Sequence, residues 1–431
     1  MDHATRLIAQ WFPDSGSELR VGGLAVSDLA GRYDTPIFVY DAQVLRAKWA
    51  ALRTALPPEF SLYYSVKANP SSAILRQFLA AGSGLEVASG GELVRALAAG
   101  CPAEQILFAG PGKTEGEIEL ALSHRIGEVH VESAREARQV ASIAGKLGVR
   151  APASLRVNPS AGAQGGAMRM GGKAAPFGVD EESIDDVLDI LEAEPAIEFK
   201  GLHLFAGTQI LDHAVLIAQY RHGLALARRV AARRGRPLQT LDFGGGLGVP
   251  YFANERELDV QKLGEELRGL MAETEGDALL AGTRFIVEPG RYLVAEAGVY
   301  VVRILDIKVS RGKTFLVVDG GMNHHLAASG NLGQVIKRNF PIVVANRLSE
   351  APARIVDVVG PLCTPLDTLA RDVPLPDARI GDLIGVLQSG AYGLTASPTG
   401  FLSHPVPAEV LVDLAQTEII RHRTTWRDCL P

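Results

Sequence analysis

Between residues 60 and 290 the chain alternates two patterns. Short apolar, β-branched runs read as strands: SLYYSVKA (61–68), GLEVAS (84–89), ILFAG (106–110), EVHVES (128–133), ASLRVN (153–158), EFKGLHLF (198–205), LQTLDFG (238–244) and TRFIVEP (283–289). Between them stand stretches with apolar residues at helical spacing, such as 132–148 and 212–235. Eight strand–helix units over about 230 residues have the size of an α/β fold of the (β/α)8 TIM-barrel type. An open doubly wound sheet is the other arrangement of such units.

After residue 290 the pattern changes. GVYVVRILDIKVS (298–310), TFLVVDGG (314–321), ARIVDVVG (353–360), DLIGVLQSG (382–390) and AEVLVDL (408–414) follow one another with little helix between them. That predicts a mostly antiparallel β domain over residues 291–431, with the barrel over 37–290. Residues 1–36 read as a short helix and a strand, ELRVGG, that joins the β domain. The most biased segment, SAGAQGGAMRMGGKAAPFG (160–178), follows the fifth strand and is too rich in Gly and Ala for a barrel element. It predicts a mobile loop on the C-terminal rim.

Composition narrows the class. The 431 residues are 47% hydrophobic and 21% charged, enough for a sizeable core. Lys plus Arg number 43 against 49 Asp plus Glu, a net charge of −6 without like-charge runs, which argues against nucleic acid or an anionic membrane surface as the main partner. Cys101, Cys363 and Cys429 are too scattered for a disulfide framework or a zinc site, so a reducing cytoplasm is expected and no metal. The N-terminal MDHATRLIAQWFPDSG lacks the apolar segment of a signal peptide, and no run of about 18 apolar residues occurs.

In a barrel of this type the chemistry sits where the strands end. The first strand ends in Lys67, and the sixth carries His203. The seventh runs into Gly244-Gly245-Gly246-Leu247-Gly248, and the eighth ends in Glu288-Pro289-Gly290-Arg291. Singly, each has an ordinary explanation: a solvated lysine, a hydrogen-bonded histidine, a tight turn, an ion pair across a turn. Together on one rim they are the set that pyridoxal 5′-phosphate needs. That cofactor takes a lysine for covalent attachment, backbone N–H groups for its phosphate, a partner for its pyridine nitrogen and a group against its ring. A carboxylate at the pyridine nitrogen keeps it protonated, which suits chemistry through a carbanion at the substrate Cα.

The motifs YYSVKANP (63–70), GLEVASGGEL (84–93), HLFAGTQ (203–209), DFGGGLG (242–248), EPGR (288–291), CTPLD (363–367) and SGAYG (389–393) resemble, in order, those of the fold-type III pyridoxal-phosphate-dependent decarboxylases. These are the diaminopimelate, ornithine and arginine decarboxylases, and the resemblance runs from about residue 35 to 415. It implies that Lys67 carries the cofactor and His203 stacks on the ring face opposite the substrate. It implies that Gly244, Gly245 and Gly246, with Gly290 and the 288–291 backbone, hold the phosphate. Glu288 would meet the pyridine nitrogen, Arg291 would stand near the substrate and Tyr392 near the phosphate. Cys363 would reach in from the partner subunit of a head-to-tail homodimer and reprotonate the carbanion. Outside the family, Cys363 would read as a small buried apolar residue.

The departures bear on the substrate. The family has an acidic residue after the motif cysteine, which pairs with the distal amine of a diamino acid; here it is Thr364. A buried ammonium without its counter-charge costs several kcal/mol, which disfavours free lysine, ornithine or diaminopimelate. Asp367 is the acid left to compensate. HLFAGTQ also differs from the usual HIGSQ, and MRMGG and DGGMNHHLAASG (319–330) are unusual for lysine-pathway enzymes. These features resemble a side branch that includes decarboxylases of carrier-protein-tethered glutamyl groups in butirosin synthesis, of citrate-based siderophore pathways and of exosortase loci. The implied function is decarboxylation of a side-chain-conjugated amino acid in a secondary-metabolite or siderophore pathway. The alternative is meso-diaminopimelate decarboxylation. A racemase of similar fold would place arginine at the pyridine nitrogen and a tyrosine as second base, which Glu288 and Cys363 oppose. A non-catalytic regulator would not need Lys67, Glu288 and Cys363 together.

Overall fold

The computed structural model describes residues 2–160, 168–169, 174–205, 207–334 and 337–429. Most of the 160–178 segment, expected as a rim loop, lies outside the described residues. The chain divides into two compact units, one of Met1–Lys48, Pro250–Arg256 and Arg291–Pro431, the other of Trp49–Val249 and Glu257–Gly290.

The second unit is a closed parallel barrel. Its strands are β1 (Phe60–Ser65), β2 (Gly84–Val87), β3 (Ile106–Phe108), β4 (Glu128–Val131), β5 (Ala151–Asn158), β6 (Ile197–Leu204), β7 (Thr240–Asp242) and β8 (Arg284–Val287). Neighbours pair in chain order, and β8 returns to β1 with Phe285 opposite Phe60 and Val287 opposite Leu62. That closure excludes the open sheet. All eight strands overlap the runs read from the sequence, with ends that agree to within three residues. Helix Ala134–Leu147 shows how the intervening segments are set. Ser133 caps its start by accepting the Glu136 N–H, Gly148 ends it at φ +66°, and Ala137, Val140, Ala141 and Ala144 bury one face. Gly201 lies where β6 shifts register, and a Cβ there would lie 1.7 Å from the Thr240 carbonyl oxygen.

The barrel interior carries more polarity than continuous apolar runs suggest. Glu128 and His130 on β4, Ser154 and Arg156 on β5, and Thr240 and Asp242 on β7 are each two residues apart and buried. The Ser154 hydroxyl donates to Glu128, as does the Thr240 hydroxyl at 3.0 Å, so the deeper carboxylate is satisfied.

The first unit is built on a mostly antiparallel sheet. Its long central strand, Gly298–Ser310, pairs antiparallel with Ile37–Asp41, Lys313–Val318 and Leu383–Val386. Ile37–Asp41 also pairs parallel with Ala408–Asp413. All five residues of Ile37–Asp41 are buried in this sheet, although the boundary read at residue 37 groups them with the barrel. IFVYD is apolar enough for either core, and only its partners decide. Arg20–Val21 of the ELRVGG segment pairs with Leu24–Ala25 in a two-stranded sheet within the same unit, and the Leu19 N–H donates to the Ala345 carbonyl at 2.8 Å.

His324 and His325, from the DGGMNHHLAASG stretch, are packing residues of this unit. The His324 ring nitrogens lie 3.2 Å from the Tyr300 hydroxyl and 3.0 Å from the Pro405 carbonyl oxygen, and His325 meets the Ser389 hydroxyl at 3.0 Å. Burial lowers His324 to about 4 and His325 to about 3. In the unfolded chain both bind a proton near pH 6.5, while folded they stay neutral, so acid favours unfolding. Each histidine should cost about 1.4 kcal/mol per pH unit below about 6.5. Denaturant unfolding at pH 7 and pH 5.5 should show this loss, and His325→Gln should flatten the dependence. An unchanged slope in that variant would mean that His325 does not stay neutral in the folded state.

Candidate active site

β1 gives way to a single 3-10 turn, Val66–Ala68, which lifts Lys67 out of the strand. Its Nζ lies 3.1 and 3.0 Å from the two oxygens of Glu86, and its side chain remains 43% exposed while Glu86 is buried. Ser65 donates its hydroxyl to the same carboxylate. The lysine is thus aimed by a fixed anion rather than left to wander. Glu86 was quoted above only within a motif; a lone acid in the apolar GLEV strand was the signal for it.

Glu288 follows β8 and is buried, its N–H donating to the Gly244 carbonyl at 2.8 Å. One carboxylate oxygen, Oε2, lies 3.4 Å from His203 Nε2, while Oε1 has no hydrogen-bond partner among the described residues. Asp242 and His130 complete a buried group whose ligand-capable atoms all lie within 4.8 Å of one another. Burial, and then the facing Glu288 carboxylate, hold the Asp242 carboxyl well above the usual range. Burial drives both histidines well below 6.5, helped by the Arg156 cation at His203 and by His203 at His130.

The glycine loop after β7 is constrained by its neighbours. Gly244 and Gly246 have φ of +68° and +101°, which favour glycine. A Cβ on Gly245 would stand 2.3 Å from the Glu288 carbonyl oxygen, and one on Gly246 2.7 Å from that of Gly207. The Gly244 N–H is committed to Asp242 Oδ1 at 2.8 Å. At Gly290 a Cβ would lie 3.1 Å from those of Ala68 and Ser65. Arg156, at the end of β5, bonds Glu132 at 2.7 Å, and Glu132 also accepts the N–H groups of Gly110 and Gly178. A side-chain-free loop beside β8 and an unpartnered carboxylate oxygen at the end of that strand fit a phosphate and a protonated pyridine nitrogen.

The remaining predicted residues belong to the first unit. The Arg291 guanidinium donates to the Tyr251 hydroxyl at 3.1 Å and lies 4.6 Å from the centre of the Tyr392 ring. Tyr392 takes a positive φ of +51°. Tyr251, an unheralded aromatic after the glycine loop, is thereby part of the arginine's setting. Cys363 is exposed, not a buried apolar residue. Thr364 is half-buried, its hydroxyl accepting the Leu366 N–H at 3.3 Å.

Asp367 is held within its own loop. Its carboxylate is buried and accepts the N–H groups of Met322 at 2.6 Å and Leu362 at 2.8 Å. Gly321 and Gly360 press against it so closely that a Cβ on either would lie about 2 Å from its oxygens. It pins the loop that bears Cys363, each of its oxygens accepting a backbone N–H.

Comparison with known proteins agrees with this geometry. The pyridoxal binding domain of pyridoxal-dependent decarboxylases matches residues 42–295. An L-glutamyl-[BtrI acyl-carrier protein] decarboxylase of Niallia circulans is 38% identical over 94% of both chains. The diaminopimelate decarboxylase of Aquifex aeolicus is 31% identical over 95% of this chain and 94% of its own. The crystal structure of diaminopimelate decarboxylase from M. jannaschii with L-lysine superposes with a TM-score of 0.89 at 25% identity, covering 96% of each chain. Among the described residues no helix is long and apolar enough to cross a membrane. With a lysine held by an acid, a glycine cradle and a buried carboxylate on one barrel, and with matches along nearly its whole length, this chain belongs to the pyridoxal-dependent decarboxylases, and its cofactor is pyridoxal 5′-phosphate.

Proposed function

We propose that this protein removes the α-carboxylate from an amino acid whose side-chain end is conjugated, as a glutamyl group on a carrier protein or a citryl amide is. The observation that carries this reading is the pair Thr364 and Asp367. The first is neutral where diamino-acid enzymes are acidic, and the second is buried with each oxygen already accepting a backbone N–H. A distal ammonium would lack its counter-charge, whereas an amide, ester or thioester needs only neutral hydrogen bonds. The relative named for a glutamyl-carrier-protein substrate supports the same reading.

When bound, pyridoxal phosphate supplies an electron sink for the pair left behind as carbon dioxide departs. Lys67 anchors it, with Glu86 orienting the amine. The N–H groups of Gly245, Gly246 and Gly290 serve the phosphate, Gly244 being held by Asp242. Glu288 would meet the pyridine nitrogen and hold a proton there, its Oε1 having no hydrogen-bond partner among the described residues. Arg291 and Tyr392 stand for the substrate carboxylate and the phosphate. Cys363, on an exposed loop, returns a proton to Cα in the site of a second subunit, so the working enzyme is a homodimer with shared sites in the cytoplasm.

Carbon dioxide release from a substrate panel tests the assignment. Conjugated substrates should exceed free diaminopimelate, lysine and ornithine at least about tenfold in kcat/KM, since one unpaired, partly buried charge is worth about 1–3 kcal/mol. Thr364→Asp should narrow that margin. Rapid turnover of meso-diaminopimelate, unaffected by changes at Thr364, would favour the second reading. That reading is supported by the relatives named diaminopimelate decarboxylases.

A further inference from the structure

The barrel has a second opening, at the ends where its strands begin, opposite the end that bears Lys67 and the glycine loop. A cavity of about 820 Å³ lies there, bordered by the turns that lead into β4 to β8. The interior of such a barrel is ordinarily filled by layers of bulky apolar side chains. Here the lowest layer holds an acid. Glu128, the first residue of β4, is buried, and the hydroxyls of Ser154 and Thr240 both donate to it. Arg284, the first residue of β8, reaches it from the far side of the ring of strands, Nη2 to Oε1 at 3.4 Å. An apolar residue would fill the same place without the cost of desolvating a carboxylate. Glu128 instead fixes a guanidinium across the opening.

The charges around this opening do not cancel. Lys200 is taken up by Glu198 at 2.6 Å and by the Gln239 carbonyl oxygen at 2.9 Å. The Arg284 side chain stays 43% exposed, and beyond its one long contact with Glu128 its N–H groups have no hydrogen-bond partner among the described residues. Arg150 spends one N–H on the Ile197 carbonyl at 3.0 Å. Arg125, in the turn before β4 with φ of +56°, has no partner for its guanidinium among the described residues. Against these three stands Glu104, exposed at the rim of the same cavity. Between the arginines, Gly127, Gly148 and Gly282 leave the rim without side chains.

We propose that this cavity is a second ligand site, for a small molecule that carries two or more carboxylate or phosphate groups, held by Arg125, Arg150 and Arg284. A guanidinium fork matches either group in a bidentate way, and three forks around one opening favour several negative charges over one. Glu128 acts from below as the positioning residue that keeps the Arg284 fork over the cavity. The volume is that of a site for a molecule of metabolite size. The site is independent of the decarboxylation chemistry, which stands at the other end of the barrel.

Titration calorimetry of the holoenzyme, with its cofactor site filled, tests this with citrate, pyrophosphate and acetate at constant ionic strength. Citrate or pyrophosphate should bind saturably with a Kd below about 1 mM, and acetate should not. Arg125→Gln combined with Arg150→Gln should weaken that binding at least about tenfold, since two charge-assisted contacts are lost. Lys308→Gln combined with Arg311→Gln removes the same charge from exposed positions of the other unit and should leave the affinity unchanged. Preference for citrate identifies the ligand as a polycarboxylate, and preference for pyrophosphate as a phosphate ester. Should the first double variant fail to fold, Arg284→Lys decides, because it keeps the charge for Glu128 but not the fork and should weaken binding severalfold. Absence of saturable binding by either polyanion, acetate binding as tightly as they do, or parental affinity in the arginine variants would overturn the proposal.

Discussion

Lys67→Ala should lower turnover by orders of magnitude and abolish the borohydride-sensitive visible absorbance of the bound cofactor. Lys67 is the amine at the barrel mouth that Glu86 holds in place at 3.0–3.1 Å, and covalent attachment requires a nucleophilic nitrogen at that point. Lys67→Arg sharpens the test. It retains a cation for Glu86 but offers a guanidinium, which stays protonated and does not form the bond. If Lys67 served only as a counter-charge, the arginine variant would recover much of the activity. Both variants should instead be inactive, with folding intact by thermal melting. Near-parent activity in either would sink the assignment of Lys67 as the attachment residue.

The barrel was legible because its strands are short apolar runs and their ends carry the chemistry. Lys67, the glycine loop and Glu288 could each be placed on the same rim from chain position alone. Depth within the barrel was not legible. Periodicity places His203 in a strand but does not tell that its ring is buried against that of His130. Asp242 and His130 escaped notice because each looks like an isolated polar residue in an apolar strand, and only closure of the barrel brings them to Glu288. The setting of Asp367 was hidden for a related reason. Its charge was visible in CTPLD, but its contacts with the Leu362 N–H in its own loop and the Met322 N–H 45 residues away were not. Ile37–Asp41 shows the same limit at the level of domains, since an apolar pentapeptide does not name its sheet.

Mixing two inactive variants should restore activity, and this is the sharpest test of how the site is completed. Cys363 is exposed on a loop pinned by Asp367, in the unit that does not contain Lys67. A thiol placed on the outside of its own protomer is suited to serve a neighbour. Cys363→Ala alone should be severely impaired, because the proton returned to Cα would lack its donor. Lys67→Ala alone lacks the attachment residue. In a heterodimer of the two with shared sites, one site combines both defects and the other has Lys67 and Cys363 intact. Random exchange of equal amounts then makes about one site in four competent. If each site used its own protomer's cysteine, no heterodimer would contain a complete site and the mixture would remain inactive. The measurement is carbon dioxide release after subunit exchange, with exchange verified by mass tagging of one variant. Recovery towards a quarter of the parental rate supports the shared site. A mixture that exchanges subunits, stays folded and shows no recovery assigns Cys363 either to its own protomer or to no catalytic role.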